Sequence, residues 1–592
     1  MKRRIGLIHI LAWLAANAAS AENYYVSSSH TNRNDLNAGT LPEVPWATMG
    51  KVGNESQNFS PGDTVYLERG SVFEIDVSHS ASNTSFLKMH TRGTPGQPIT
   101  VTGSGYGTGA LPIIRRTGGT GTPALIHIEK SYITVSDIEI DGGNSTYGKH
   151  TSGVTVGGDG EDLSNVTIRN LKIHNLGGNS STYICGIWVS SFTSNIVSDC
   201  LIEGNEVSDY SAHGLNHYSS GPMINITWRN NIVRNTYYGG RYLSANSALQ
   251  ISSGSRGCLF EHNYLEDTTT TESIIFGFGK RMNDSGLNTI RHNIIAYSNK
   301  YGILFTEDQP GHRLLYDIYE NIIYYNSYSG IALYPYDSYA SGTRFRIYNN
   351  TFFNNCTAGG NETRGDIEVD EKCSNTTVKV VNNLIYHRNY SDTVGLSVGN
   401  GFNGSLLHRN NLYWHPGGSS QNIVYNRGDH YTVENVTTFE ISAQNTNPLL
   451  LDIRALPTST STSFGVSPDG LKPQTGSPAI YTGTVGISDA DIEGTEISFE
   501  ERRDIGAYEI FSNSRIMLEI VMGEYITTAT VQDFADWRPR PEFRTNLLAG
   551  GWVPLAASEF TSTYPVSIEG NHFLTWTNLP YTNIFFRVTY EP

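Results

Sequence analysis

The sequence predicts an all-β chain of short parallel strands wound into a solenoid, and three observations predict it. A two-residue phrase ending in Asn recurs at Asn170, Asn205, Asn231, Asn263, Asn293, Asn321, Asn350, Asn383 and Asn411, at steps of 35, 26, 32, 30, 28, 29, 33 and 28 residues, which is the period of a stacked repeat with small insertions. Alternating β runs such as Asn225-Ile-Thr-Trp-Arg and Leu287-Asn-Thr-Ile-Arg precede the Asn, and short runs opened by a small residue, such as Gly186-Ile-Trp-Val, Gly302-Ile-Leu-Phe and Gly330-Ile-Ala-Leu, follow it. No helical period interrupts them. Asn tolerates a left-handed backbone, and its amide can hydrogen-bond the equivalent Asn one coil away, about 4.8 Å along the stack. The repeated Asn is therefore read as a structural ladder, with Asn205 to Asn383 stacked at one turn.

This pattern resembles the right-handed parallel β-helix proteins of the pectate-lyase type, over a span from about Tyr24 to Glu509. The resemblance implies a secreted protein of the polysaccharide lyase or glycoside hydrolase type. A fold of this kind does not fix the chemistry.

The N-terminus reads as an export signal: Met1-Lys-Arg-Arg is basic, Ile5 to Ala16 is apolar, and Ala19-Ser-Ala21 is a small-residue cleavage site. The expected divisions are a signal peptide over 1–21, the β-helix with its N-terminal cap over 22–510, and a small C-terminal β appendage over 511–592. Location is expected to be secreted or periplasmic, with no membrane span, because no other stretch is long and apolar enough. The first module, from Tyr24 to Gly70, must cap an open solenoid end, so Asp63 and Arg69 are read as cap residues. The same holds for Asp504 and Glu509 in the closing phrase Arg502-Arg-Asp-Ile-Gly-Ala-Tyr-Glu509. Trp537, Trp552 and Trp576 in the appendage are read as core.

Composition limits the partners. With 60 Gly, 35 Tyr, 16% charged residues and a formal charge of −16, the surface is acidic and lacks the basic field that nucleic-acid binding needs. A polysaccharide is the expected partner, anionic only if its cleft is locally basic, and the protein is expected to be a monomer. Five Cys are too few for a disulfide framework, although Cys185 with Cys200 and Cys356 with Cys373 lie within single coils and can pair, leaving Cys258 as a buried thiol. No C-x-x-C spacing occurs and no metal ligand is assigned. The cofactor is left open, with calcium as the candidate: Gly157-Gly-Asp-Gly-Glu-Asp162 has the acidic, Gly-rich composition calcium favours, without EF-hand spacing.

A solenoid interior is filled by side chains, so catalysis has to lie on an outer face between long turns. The longest excursions from a ladder Asn to the next small-residue strand are 16, 17 and 15 residues, after Asn170, Asn231 and Asn350. The second of these carries Arg241 and Tyr242, and the third runs through Thr357 to Arg364. Stacking the strands that follow brings together His217, Lys280-Arg281, Glu307-Asp308, His312, Tyr336 and Asp337 over roughly 20 Å. β-Elimination on a uronate needs a cation to neutralise the carboxylate and a base of lowered pKa. Lys280 is read as that base, Arg281 as the carboxylate clamp and Tyr242 as the proton donor, with Arg241, His217, Glu307, Asp308, His312, Tyr336 and Asp337 as substrate contacts. The competing readings are a glycoside hydrolase or epimerase, in which Glu307 or Asp308 works with Asp337 or Asp370, and a carbohydrate-binding surface protein. Mass spectrometry of exported protein should find an N-terminus near Glu22; an intact Met1 on exported protein would contradict the signal reading.

Overall fold

The computed structural model describes residues 21–510 except 55, 77–86, 119–123, 144–151, 158–159, 177–184, 191–194, 218–220, 236–246, 253, 269–272, 280–285, 308–312, 336–337, 389–391, 457–469, 485–489, 496 and 498–501, together with the backbone of several strands beyond 518. The chain divides into two units, residues 1–509 and 510–592.

In the first unit each coil contributes one strand to each of three parallel sheets, taken in chain order. The first sheet runs from Asn23–Val26 to Ser405–Arg409 in 13 strands, the second from Val72–Asp76 to Leu412–Trp414 in 12, and the third from Leu87–Met89 to Asn422–Asn426 with the antiparallel Asp429–Thr432 at its end. This is the right-handed parallel β-helix that the repeat predicts. A four-stranded parallel sheet, Leu163–Ser164 to Ser255–Arg256, bridges the third sheet to the first in the middle coils. Inward positions form continuous apolar columns: Ile187, Leu215, Leu249, Ile275, Ile303, Ile331, Ile367 and Leu396 are registered one above another in the third sheet and are fully buried.

The Asn ladder lies inside the turn between the first and second sheets. Asn205 Nδ2 donates to Asn231 Oδ1 at 2.9 Å, and the contact repeats through Asn263, Asn293, Asn321, Asn350 and Asn383 to Asn411, always 2.9–3.0 Å and always in the same direction. Each Oδ1 also accepts the backbone N–H of the Asn one coil before it, as Asn293 Oδ1 does from Asn263 at 3.0 Å. The last member donates to a carboxylate: Asn411 N and Nδ2 reach Glu440 Oε1 and Oε2 at 2.7 and 2.9 Å. The first phrase is offset by one residue. Arg169 is registered with Glu203, so Asn170 stacks on Gly204, and Leu171 occupies the ladder position and donates its N–H to Asn205 Oδ1 at 3.0 Å.

Just before each ladder Asn sits a residue with positive φ, among them Asn230, His262, His292, Glu320, Asn349, Asn382 and Asn410. The side chains of the later ones hold a return segment of the chain. Asn349 donates to the Asp504 carbonyl at 2.9 Å, Asn382 to that of Thr484 at 2.9 Å and Asn410 to that of Thr482 at 3.0 Å. Asp504 accepts the Tyr481 N–H, and Glu509 accepts from Arg503, so both acids serve the fold. At the other end Asp63 accepts the N–H groups of Glu22 and Ser60, and Arg69 Nε donates to the Gly109 carbonyl at 2.8 Å, as cap residues do.

The cysteine pairs expected from sequence do not form. All five thiols are free and buried, because Cys185 opens a third-sheet strand while Cys200 precedes a first-sheet strand, and Cys356 and Cys373 flank opposite ends of Gly365–Val369. In the second unit Glu519–Met522, Ile526–Gln532, Asn571–Thr577 and Phe560–Thr563 form one antiparallel sheet, and Val553–Pro554, Arg538–Arg544 and Phe585–Glu591 another. The side chains of its Trp residues lie outside the described residues.

The ladder makes a stability prediction. Asn293→Ala removes the acceptor for two Asn263 donors, a backbone N–H and an amide, and leaves both buried. Urea unfolding should show a loss of about 1–3 kcal/mol or more, the cost of leaving buried donors unmet; a loss no larger than that of an exposed Asn would contradict the ladder's role.

Candidate functional site

In a strand of period two, the residues between the inward column face out. Following the register of the third sheet, the outward row reads His127, Thr155, Trp188, Asn216, Gln250, Phe276, Leu304, Ala332, Glu368, Ser397 and Tyr425. Much of this row is buried although it lies outside the coil: Asn216 is 0% exposed, Gln250 7%, Glu368 6% and Ser397 1%. Buried polar atoms are normally paired. Among the described residues Asn216 Oδ1, Gln250 Oε1 and Ser397 Oγ have no hydrogen-bond partner. The row thus carries two orphan amide oxygens on consecutive coils beside Trp188, and an orphan hydroxyl on the coil next to Glu368.

Glu368 is the chemically distinctive group. It lies on the strand Gly365–Val369, which follows the long turn ending at Arg364. Burial pushes its carboxyl up from 4.5 to about 7, against the opposing pull of the Ser329 hydroxyl, which hydrogen-bonds Oε2, and of the Arg364 charge. Asp370, two residues on, has the same outward parity and is also shifted upward, chiefly by burial, while its Oδ1 accepts the Lys372 N–H at 2.9 Å. Alternate residues of a strand stand about 6.7 Å apart at the Cα. Arg364 stacks over the Tyr328 ring at 3.8 Å, and Tyr301 packs on the same Tyr328 ring at 5.2 Å. Tyr334, one residue past the registered pair Leu333 and Val369, is 42% exposed. A carboxyl of raised pKa, a second carboxyl, a guanidinium and tyrosines thus gather on one outer face.

The third acid of the same strand does something else. Asp366 is fully buried and ends a second, shorter ladder: Asn326 Nδ2 donates to Asn355 Oδ1 and Asn355 Nδ2 to Asp366 Oδ1, both at 2.7 Å. Its Oδ2 meets His387 Nδ1 at 2.6 Å, and His387 Nε2 meets Thr393 Oγ1 at 3.1 Å.

Of the residues singled out from sequence, His217 is corrected. It is registered with Val189 and Ile251, in the inward column, and is 0% exposed. Its Nε2 meets Ser255 Oγ at 2.7 Å, its Nδ1 accepts from Trp228 Nε1 at 3.1 Å, and burial holds its pKa down at about 3. A neutral, fully partnered ring inside the coil has no atom left for substrate. Glu307 ends the strand Tyr301–Glu307, registered with Gly279. Its side chain, and Arg241, Tyr242, Lys280, Arg281, Asp308, His312, Tyr336 and Asp337, lie outside the described residues. In the candidate calcium segment Glu161 pairs with Lys130 and Asp162 accepts the Ile196 N–H at 2.8 Å, so these two carboxylates already have partners; residues 158–159 lie outside the described set. Among the described residues no helix is long and apolar enough to cross a membrane.

No family model matches the chain. A lacto-N-biosidase of Bifidobacterium longum subsp. longum is 30% identical over 211 residues, which cover 28% of this chain and 13% of that protein. The chain therefore spans only a small part of the length of that curated relative. A solved GH136 lacto-N-biosidase from Eubacterium ramulus is 18% identical with a TM-score of 0.43, covering 68% of this chain and 70% of that one. An alginate lyase from Paenibacillus sp. str. FPU-7 is 15% identical with a TM-score of 0.36, covering 52% and 93%.

The sequence signal that pointed to Glu368 was present in Gly365-Asp-Ile-Glu-Val-Asp370: three acids at alternate positions of a strand, directly after one of the longest turns. Acids so placed repel one another and are costly to bury, so they need a reason. The raised carboxyl has a sign that can be tested. A folded-state pKa above the ordinary one means that the folded chain binds more protons, so Glu368 contributes stability that is full below pH 4.5 and is lost as pH rises through about 7. Buried histidines such as His217 run the other way, so the total profile mixes both. The difference isolates Glu368: Glu368→Gln should gain stability relative to the parent as pH rises from 4.5 to 7, read as Tm across pH, and a constant difference would show that Glu368 is ionised normally.

Proposed function

We propose that the protein is a carbohydrate-processing enzyme, and specifically a glycoside hydrolase acting on the outer face of the third sheet. The observation that carries this reading is Glu368: a buried carboxyl whose pKa is raised to about 7, with Asp370, directly after the end of the same strand, close enough to push it further up. Glycoside hydrolysis uses such a pair, with carboxyl groups about 5–9.5 Å apart according to stereochemical outcome. The protonated Glu368 would give its proton to the glycosidic oxygen as the bond to the leaving sugar breaks. Asp370, which is more exposed, would act on the opposite side, as nucleophile or as base toward water. Arg364 would hold substrate hydroxyls while stacked on Tyr328.

The row itself favours a neutral sugar. From Trp188 to Tyr425 it contains no cation, and its orphan groups at Asn216 and Gln250 are acceptors, which suit hydroxyl donors and would repel a carboxylate. Coils about 4.8 Å apart place successive contacts within one or two sugar units, and Trp188 offers a ring face of the kind that sugars stack on. The relative with 30% identity bears the name of a glycosidase, which supports the same reading.

The competing proposal is β-elimination by Lys280, Arg281 and Tyr242. Its support is that Lys280-Arg281 directly follows the third-sheet strand Ser273–Gly279. The two are separated by one set of assays on a panel of neutral and uronate-containing glycans. Under the hydrolase reading Glu368→Gln lowers turnover by roughly 10² or more, the usual contribution of a general acid, Lys280→Ala leaves most of it, and the products are saturated. An unsaturated, ultraviolet-absorbing uronate product with loss of turnover in Lys280→Ala would instead establish elimination.

A further inference from the structure

The turn between the first and second sheets carries a second cluster of chemistry, on a different edge of the coil from Glu368. At the positive-φ position just before the ladder Asn, two consecutive coils present His262 and His292, with φ of 52° and 54°. Their backbone conformation is imposed by the turn, so the two rings lie on neighbouring coils, tilted by 47° with their centroids 4.6 Å apart. His262 Nε2 lies 3.1 Å from His292 Nδ1. A carboxylate oxygen of Glu261 joins them, and the three ligand atoms all lie within 4.8 Å of one another. We propose that Glu261, His262 and His292 bind a divalent transition metal, with zinc as the ion whose ligand preference they fit best.

Two features carry this. A tetrahedral ion with nitrogen ligands at about 2.0–2.1 Å holds two of them roughly 3.3 Å apart, so the His262–His292 separation is already near the required value, and the metal takes the place of the proton shared between the rings. The outer nitrogen of His292 is fixed as metal-binding histidines are: Nε2 meets Glu320 Oε2 at 2.6 Å, which sets the tautomer that leaves the Nδ1 lone pair for the ion. Glu320 is in turn gripped by Arg503 of the return segment, and the Ala490 carbonyl lies 3.2 Å from the same Nε2. Against the ion stands Arg291, whose Nε and Nη2 donate to Glu261 Oε2 at 2.9 and 2.7 Å. One Glu261 oxygen remains for the metal, and Arg291 limits the affinity. His262 is partly exposed while Glu261 and His292 are buried, so the ion can enter from one side and keep water as its fourth ligand. Its role there is structural: it ties two coils to the return segment through Glu320 and Arg503. Cysteine spacing gave no hint of the site because the ligands come from consecutive coils, 30 residues apart.

The full chain, stripped with a chelator and titrated with zinc chloride, should take up one ion per chain and gain a few degrees in Tm, since a ligand that binds only the folded state stabilises it. Cobalt(II) in place of zinc should give the visible absorption of a tetrahedral nitrogen–oxygen site. His262→Gln, at the more exposed ligand, should remain folded by circular dichroism and lose both effects; Glu261→Gln, which keeps a partner for Arg291, should weaken uptake at least tenfold. Absence of uptake by the parent chain, or uptake and cobalt absorption unchanged in folded His262→Gln, would overturn the proposal.

Discussion

From Asn205 to Asn411 each coil of this solenoid is tied to the next by an amide that cannot turn over. An Asn in the ladder gives its Nδ2 to the following coil and receives, on Oδ1, both the amide and the backbone N–H of the preceding one, so reversing one member would place donor against donor. The hydrogen bonds therefore all point the same way, and their dipoles add along the stack as those of a helix do. The positive end needs an anion, and Glu440 supplies it, with the buried Tyr413 hydroxyl also donating to its Oε2 at 3.0 Å. The shorter ladder through Asn326 and Asn355 obeys the same rule and ends on Asp366. A carboxylate at the end of each Asn stack is a charge-assisted bond placed where the accumulated polarity is greatest.

From that constraint the rest follows. The ladder fixes the register of all three sheets, since a shift of one residue would put every inward side chain outside. A fixed register makes the outward row of the third sheet a ruler with one mark per coil. Glu368 owes its raised pKa to burial at this position: it stands outside the coil interior yet is 6% exposed, and the Ser329 hydroxyl one coil back and the Arg364 charge only partly offset that burial. The segment from Asp366 to Asp370 shows how local position decides chemistry. Asp366 closes a ladder and pairs with His387, whereas Glu368 and Asp370, two and four residues later, face outward.

The fold was legible because period and ladder are local properties. The spacing of the Asn phrases located the turn, and the one offset, at Asn170, arose because the left-handed residue and the ladder residue are neighbours and both favour Asn. Side-chain direction was less legible. His217 looked like a groove residue because it is polar and ends a strand, but strand parity puts it with Val189 and Ile251, and the coil interior accepts it because Ser255 and Trp228 satisfy both nitrogens. The cysteine pairings failed for a related reason: closeness within a coil does not place two residues on the same face. The return segment was invisible, since its contacts, such as Asn349 with Asp504, join residues 155 apart and leave no periodic trace. The acids of Gly365-Asp-Ile-Glu-Val-Asp370 were readable as a pattern, but they share one strand parity, and only the hydrogen bonds of Asp366 to Asn355 and His387 separate the ladder cap from the other two.

The central claim is that glycosidic chemistry takes place over Glu368 and Asp370. The most direct measurement is a crystal structure of the Glu368→Gln protein with an uncleaved oligosaccharide selected from the glycan panel. The account predicts a glycosidic oxygen within hydrogen-bond reach of the residue 368 side chain, the Asp370 carboxylate on the other side of the same sugar, and further units running along the outward row toward Gln250 and Asn216. An oligosaccharide bound with its scissile bond at Lys280-Arg281 and away from residue 368 would contradict it.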